Sequence, residues 1–184
     1  MSWSRDVARV AALSAIIVGS DFALAPFPNV KLLDTVVFLA AYLFGFRVGA
    51  TVAVISEFIW AVVSPWGPAG AITPFLVVGE VLFAAGGWWA SRVWGGRPEL
   101  LRGNAVFLGA IILICAFVWD LETNAATAVI ALWPSLTLEK LLLVEAVGIP
   151  FAIIHEVADF VIGTALAPLT ILLIPRVSKR ELLT

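Results

Sequence analysis

The sequence predicts an all-α, polytopic membrane protein of six transmembrane helices with both termini cytoplasmic. Three observations predict it. First, 62% of the 184 residues are hydrophobic and the mean hydropathy is +1.07. A soluble chain of this length has no interior large enough to hide so much apolar surface, whereas a chain dissolved in lipid need not hide it. Second, the apolar residues fall into runs of roughly 17 to 25, the length that crosses a hydrocarbon core as a helix. Third, the basic residues are distributed unevenly between alternate loops, as the positive-inside rule requires of a spanning chain.

The first span is expected from about Val7 to Ala25, closed by Pro26 and Pro28. Ala23-Leu24-Ala25 has the look of a signal-peptide cleavage site, but Asp21 interrupts the apolar run, and a retained helix is the reading adopted. The second span, about Leu32 to Phe46, is short and ends in the turn Gly45-Phe46-Arg47. The third runs from Val48 to Ser64 and stops at Pro65-Trp66-Gly67-Pro68, which cannot continue a helix. The fourth is expected from about Pro74 to Val93. The fifth begins near Asn104 and passes Asp120, with residues Ala125 to Trp133 either extending it or forming a separate half-helix. The sixth is expected from about Glu145 to Ile174. With no linker or repeat evident, residues 1–184 read as a single six-helix membrane domain.

With the N-terminus in the cytoplasm, nine of the 11 basic residues lie inside: Arg5, Arg9, Arg47, Arg92, Arg97, Arg102, Arg176, Lys179 and Arg180. Only Lys31 and Lys140 lie outside. The tryptophans agree: Trp66, Trp119 and Trp133 fall near the outer interface, and Trp3, Trp88, Trp89 and Trp94 near the inner one. The expected location is the cell membrane, as a multi-pass protein in contact with lipid. The single cysteine, Cys115, cannot form an internal disulfide. The formal charge of −2 is too small to indicate a partner, and no nucleic-acid partner is expected.

The acids carry the functional signal. Asp21, Asp34, Glu57, Glu80, Asp120, Glu122, Glu139, Glu145, Glu156 and Asp159 lie within spans or toward the outer face. An ionisable group at the bilayer centre costs at least about 2.5 kcal/mol, so such groups face a cavity, a partner or water. Asp21, Asp34, Glu139 and Glu145 sit near predicted span ends and are read as wetted. Glu57 pairs with Lys31 or bonds a neighbouring helix. Glu80 lies two turns into the fourth span and is read as a pocket residue. Asp120 and Asn124 share a helix face, for ligand contact or for capping. His155, Glu156 and Asp159 sit within one turn of the sixth span and either bind a ligand or satisfy one another. One outward-facing cavity is expected between the later helices, with Glu80, Asp120 and the His155–Asp159 cluster at its floor or wall.

Catalysis is not expected. His155-Glu156-x-x-Asp159 departs from the zinc-hydrolase pattern His-Glu-x-x-His, and the chain has one histidine in all. No metal and no cofactor is therefore expected. Gly86-Gly87 and Gly95-Gly96 lack the Lys and Ser/Thr of a phosphate loop, so no nucleotide is bound by a recognisable motif. Ala8, Ala11, Ala12 and Ala15 make a smooth stripe on the first span. On composition alone it is a seam inside the chain's own bundle.

The chain resembles the substrate-binding S components of energy-coupling factor (ECF) transporters over nearly its whole length. The likeness rests on Ala8-x-x-x-Ala12 and Ala11-x-x-x-Ala15, Pro28-Asn29-Val30-Lys31, Phe44-Gly45-Phe46-Arg47-Val48-Gly49-Ala50 and Ser64-Pro65-Trp66-Gly67-Pro68. Asp120-Leu121-x-Thr123-Asn124 and Gly148-Ile149-Pro150-Phe151-x-x-x-His155 are similar to segments of the vitamin-type members. The resemblance implies six helices and capture of a vitamin-like micronutrient from outside. It also implies ATP-driven uptake with a transmembrane coupling subunit and two ATPase subunits. Carried over by matching segment, the ligand site would comprise Asn29, Lys31, Trp66, Glu80, Trp119, Asp120, Asn124, His155, Glu156 and Asp159. The stripe Ala8, Ala11, Ala12 and Ala15 would meet the coupling subunit. The nickel and cobalt members carry a histidine close behind the initiator methionine; this chain begins Met1-Ser2-Trp3. The competing class is a proton- or cation-coupled carrier or channel using the intramembrane acids Glu57, Glu80, Glu156 and Asp159.

Overall fold

The structure is a computed structural model that describes residues 2–94 and 98–174. Within them the chain is helical throughout: α1 (Ser2–Leu24), α2 (Leu33–Phe44), α3 (Phe46–Val63), α4 (Thr73–Trp94), α5 (Pro98–Leu132) and α6 (Leu138–Leu173), with a short 3₁₀ turn, Gly70–Ile72, before α4. Five of these helices are long and apolar enough to cross a membrane; α2, with 12 residues, is the exception. At about 18 Å it falls short of a hydrocarbon core of about 30 Å. Its limits are set locally. Gly45, at φ 96°, ends it in a conformation that side-chain-bearing residues avoid. At its start Asp21 Oδ1 accepts a hydrogen bond from the Leu32 backbone N–H at 3.0 Å, pinning the α1–α2 loop back onto α1.

Two boundaries differ from the sequence expectation. Residues Ala125 to Leu132 extend α5 and form no separate half-helix. Apolar residues and Thr127 there continue the helical pattern without a breaker, and Pro134 is the first proline beyond it. α6 starts at Leu138, about two turns before the expected Glu145, because Thr137 caps it: its hydroxyl accepts from the Lys140 N–H. Glu139 accordingly lies in the first turn of α6, exposed, and not in a loop. Arg97, Arg176, Lys179 and Arg180, on which the orientation argument leans, lie outside the described residues.

The core gathers around α2. Ten of its 12 residues are buried. Glycines let its neighbours close on it from two sides. A Cβ on Gly49 of α3 would collide with the Ala41 methyl group, and one on Gly87 of α4 would collide with the Phe38 carbonyl oxygen. Asp34, on the first turn of this enclosed helix, is carried into the interior with it.

α5 and α6 form a long antiparallel pair. Of the 36 residues of α6 only His155, Asp159, Gly163, Ala167 and Ile171 are buried. They are spaced four apart and make one ridge along the helix. The remainder of α6 presents large apolar side chains such as Leu142, Leu143, Val147, Val157 and Val161 to the outside, a surface suited to lipid.

Candidate functional site

At the end of the bundle away from the start of α1 lies a pocket of about 310 Å³. Its wall is drawn from the C-terminal ends of α1 and α3, the two loops that follow them, the start of α4, and single residues of α5 and α6. Phe27, Trp60, Trp66, Trp119 and Phe151 supply aromatic surface; Asp21, Lys31 and Glu57 supply charge. The Asn29 amide donates to the Phe151 carbonyl at 3.0 Å and ties the α1–α2 loop to α6 across the pocket. Asn29 holds φ 57°, a left-handed conformation that asparagine tolerates better than most residues.

Lys31 links the pocket to the interior. It is 9% exposed, its Nζ is 3.9 Å from Glu57 Oε2, and it lies 5.1 Å from the centre of the Trp119 ring. Burial opposes its charge, but Glu57, Asp34, Glu80 and Asp21 outweigh that and raise its pKa above the ordinary lysine value. Trp119 is itself fixed: Nε1–H donates to the Leu76 carbonyl at 3.3 Å, and Gly79 leaves room for the ring. Its other neighbour is His155, with ring centres 5.3 Å apart in an edge-on arrangement.

Beneath the pocket lies a dense ionic interior. Asp21, Asp34, Glu57, Glu80, Asp120 and Asp159 are all buried, against Lys31 and His155 as the buried basic groups among the described residues. His155 Nδ1 is 3.0 Å from Asp120 Oδ2. Its Nε2 is 3.5 Å from Asp34 Oδ2 and 3.6 Å from Asp159 Oδ2, beyond hydrogen-bonding distance. Neither oxygen of Asp34, Glu80 or Asp159 has a hydrogen-bond partner among the described residues.

The sequence-predicted site residues thus divide. Asn29, Lys31, Trp66 and Trp119 line the pocket. Glu80, Asp120, His155 and Asp159 lie buried below it and are not part of its wall. Asn124 packs against Gly148 where α5 meets α6, and Glu156 is half-buried; neither lines the pocket. The expected cavity between the later helices is corrected accordingly: the pocket lies largely among the first four helices, because the loops after α1 and α3 fold over that end.

Asp21 and Asp34, expected to be wetted, are 1% and 0% exposed. The reading of Asp34 failed because a position near a helix end is wet only when that end reaches the surface. α2 is too short and too enclosed to do so. Asp21 had a usable signal, as the single acid in the apolar run that follows Asp6. Glu57 was weighed as a partner of Lys31, and that contact is present, but its place in the pocket wall was missed.

The alanines of α1 also depart from expectation. Ala8, Ala11, Ala12 and Ala15 are exposed, so they are not a seam within the chain's own bundle. Ala11 and Ala15 line a groove of about 1190 Å³ formed with the α2–α3 turn and α3, at the opposite end from the pocket.

Comparison of the chain with protein-family models, with curated proteins and with solved structures finds no match.

Proposed function

We propose that this chain is a membrane-embedded substrate-binding component of the ECF S type. In this reading it captures a vitamin-like small molecule from outside for ATP-driven uptake by separate coupling and ATPase subunits. The observation that carries the reading is the pocket. Its volume of about 310 Å³ suits a small molecule, and it combines aromatic walls with a buried lysine and two carboxylates. Rings such as Trp66 and Trp119 stack on a flat ligand; Asp21, Glu57 and Lys31 orient its polar groups. The exposed alanine stripe supports the second half of the proposal, since small side chains let a partner helix approach closely. The absence of a nucleotide motif from the sequence agrees with ATPase activity residing elsewhere.

In this reading, supported by the basic bias of the sequence, the N-terminus is cytoplasmic, the pocket opens at the outer face, and α2 crosses in the company of its neighbours. No catalytic role is proposed for any residue.

The test is native mass spectrometry of the tagged chain after gentle detergent extraction from its own cells. The expected result is a complex with a transmembrane coupling subunit and two ATPases, and a retained small molecule. A chain that emerges alone and empty at every detergent condition argues against the reading. The carboxylates buried below the pocket favour a second reading, a proton- or cation-coupled carrier. That reading requires the chain alone, in proteoliposomes, to move solute down an imposed ion gradient without ATP.

A further inference from the structure

We propose that Asp34, His155 and Asp159 form a binding site for one divalent transition-metal ion, with Glu80 beside them. The proposal is independent of the transport reading. It also runs against the expectation of no metal, which rested on the missing second histidine. Asp159 stands at the position of that histidine, and Asp34 of α2 faces the same ring nitrogen.

The geometry carries the proposal. One donor atom from each of the three side chains lies within 4.8 Å of the others, and the three residues are at most 1% exposed. His155 Nδ1 and Asp120 Oδ2 share a hydrogen bond at 3.0 Å. The other ring nitrogen, Nε2, faces Asp34 and Asp159. Nε2 is buried and has no hydrogen-bond partner among the described residues, and the same holds for both oxygens of each aspartate. Two buried carboxylates facing one imidazole nitrogen need a cation between them, either a proton on Nε2 or a metal ion.

The separations suit ligands that share one metal ion. Nε2 lies 3.5 and 3.6 Å from the two carboxylate oxygens, too far for charge-assisted hydrogen bonds, which close to about 2.7–2.9 Å. Two ligands each about 2.0–2.1 Å from a tetrahedral ion stand roughly 3.3–3.4 Å apart, close to what is observed.

The surroundings fit as well. A metal-bound histidine nearly always gives its other N–H to a carboxylate, which fixes the tautomer, and Asp120 occupies that position. Glu80 is buried next to Asp34 and adds a further carboxylate to the same interior. One imidazole with two or three carboxylates suits Zn²⁺, Mn²⁺, Co²⁺ or Fe²⁺ better than Mg²⁺ or Ca²⁺, which favour all-oxygen sites. None of the three proposed ligands lines the pocket, and Trp119 contacts both the pocket and His155. The ion would therefore be a resident one that offsets the excess of buried acids and holds α2 to α6.

The test uses the whole chain purified in mild detergent. Elemental analysis should give close to one equivalent of a transition metal per chain. After exhaustive chelation, Co²⁺ should restore visible d–d absorption, and Zn²⁺ should raise the thermal midpoint by about 5 °C. Asp34→Asn and Asp159→Asn should each lower metal affinity at least 10-fold, while the exposed Glu139→Gln should bind as wild type. Because the chain has one histidine, ¹⁵N-imidazole NMR of wild-type protein reads this residue alone even if the variants fail to fold. Added Zn²⁺ should shift Nε2 and leave Nδ1 protonated. An unchanged Nε2 resonance, or undiminished metal affinity in both folded aspartate variants, overturns the site.

Discussion

α2 and α6 use apolar sequence in opposite ways. α2 has 12 residues and buries ten; α6 has 36 and buries five. α2 is too short to meet lipid along a full span and is instead wrapped by its neighbours, so its polar residues, Asp34 and Thr35, become interior groups. α6 keeps nearly all its large side chains outside and contacts the bundle along a single ridge, yet that ridge delivers His155 and Asp159 to the same place as Asp34. In a membrane protein, hydrophobicity therefore says little about which helix is central. The centre is marked by small residues on the neighbours and by ionisable groups on the ridge.

The sharpest way to break this contrast is to enlarge a residue on each side of it. Gly87→Leu places a side chain on the Phe38 backbone of α2, where no rotamer avoids a collision. The loss should exceed the usual 1–3 kcal/mol of overpacking, because backbone and not a flexible side chain is struck. Little monodisperse protein should survive size-exclusion chromatography. Val157→Leu, on the exposed face of α6, should change the thermal midpoint by less than the equivalent of about 0.5 kcal/mol. Equal behaviour of the two variants would mean that α2 is not the packing centre.

Much of this arrangement was legible in the sequence, and the failures have a physical pattern. Helical class, the five long helices and the turns at Gly45 and Ser64-Pro65-Trp66-Gly67-Pro68 followed from composition and breakers. Lys31 with Glu57, and His155 near Asp159, followed from charge and spacing. Periodicity gave no information on which helix would be enclosed, because lipid and protein interior are equally apolar. That is why Asp34 was read as wetted and why the alanine stripe was read as internal. The pocket was misplaced for a different reason: it is built by loops folding over a bundle end, which span-level patterning does not describe.

A middle-sized effect tests the electrostatic half of the comparison. Lys31 is the buried cation facing Glu57, Asp34, Glu80 and Asp21. Lys31→Met keeps most of the stem but leaves those carboxylates uncompensated, which should destabilise by about 3–5 kcal/mol. The sign with pH is definite. The lysine's folded pKa is raised above its ordinary value of about 10.4, so its stabilisation is complete below that pH and is lost only as pH climbs through the raised value. The difference between wild type and variant, read from thermal melts in detergent, should not narrow as pH rises from 6 to 9, because without the lysine the carboxylates it faced take up protons at the lower end. A gap that closes within that range would place the stabilising charge on some other group.

The smallest effect on the fold is expected on α1, and it separates two kinds of exposed surface. α6 exposes large apolar side chains such as Leu142, Val147 and Val161, a face suited to lipid, whereas α1 exposes Ala8, Ala11, Ala12 and Ala15. A face made for lipid gains nothing from alanine, since larger side chains bury more apolar surface against the acyl chains. A face made for another helix gains close backbone approach. Ala12→Trp should therefore leave the thermal midpoint within the equivalent of about 0.5 kcal/mol of wild type, as an exposed substitution usually does. It should nevertheless abolish copurification with the proposed coupling subunit, because an indole ring forces the two backbones apart. Val161→Trp on α6 is the matched control and should disturb neither property. If Ala12→Trp unfolds the protein, α1 packs internally after all. If both variants assemble as wild type does, the alanine face has no helix partner, and the proposed division between lipid-facing and partner-facing surface fails at α1.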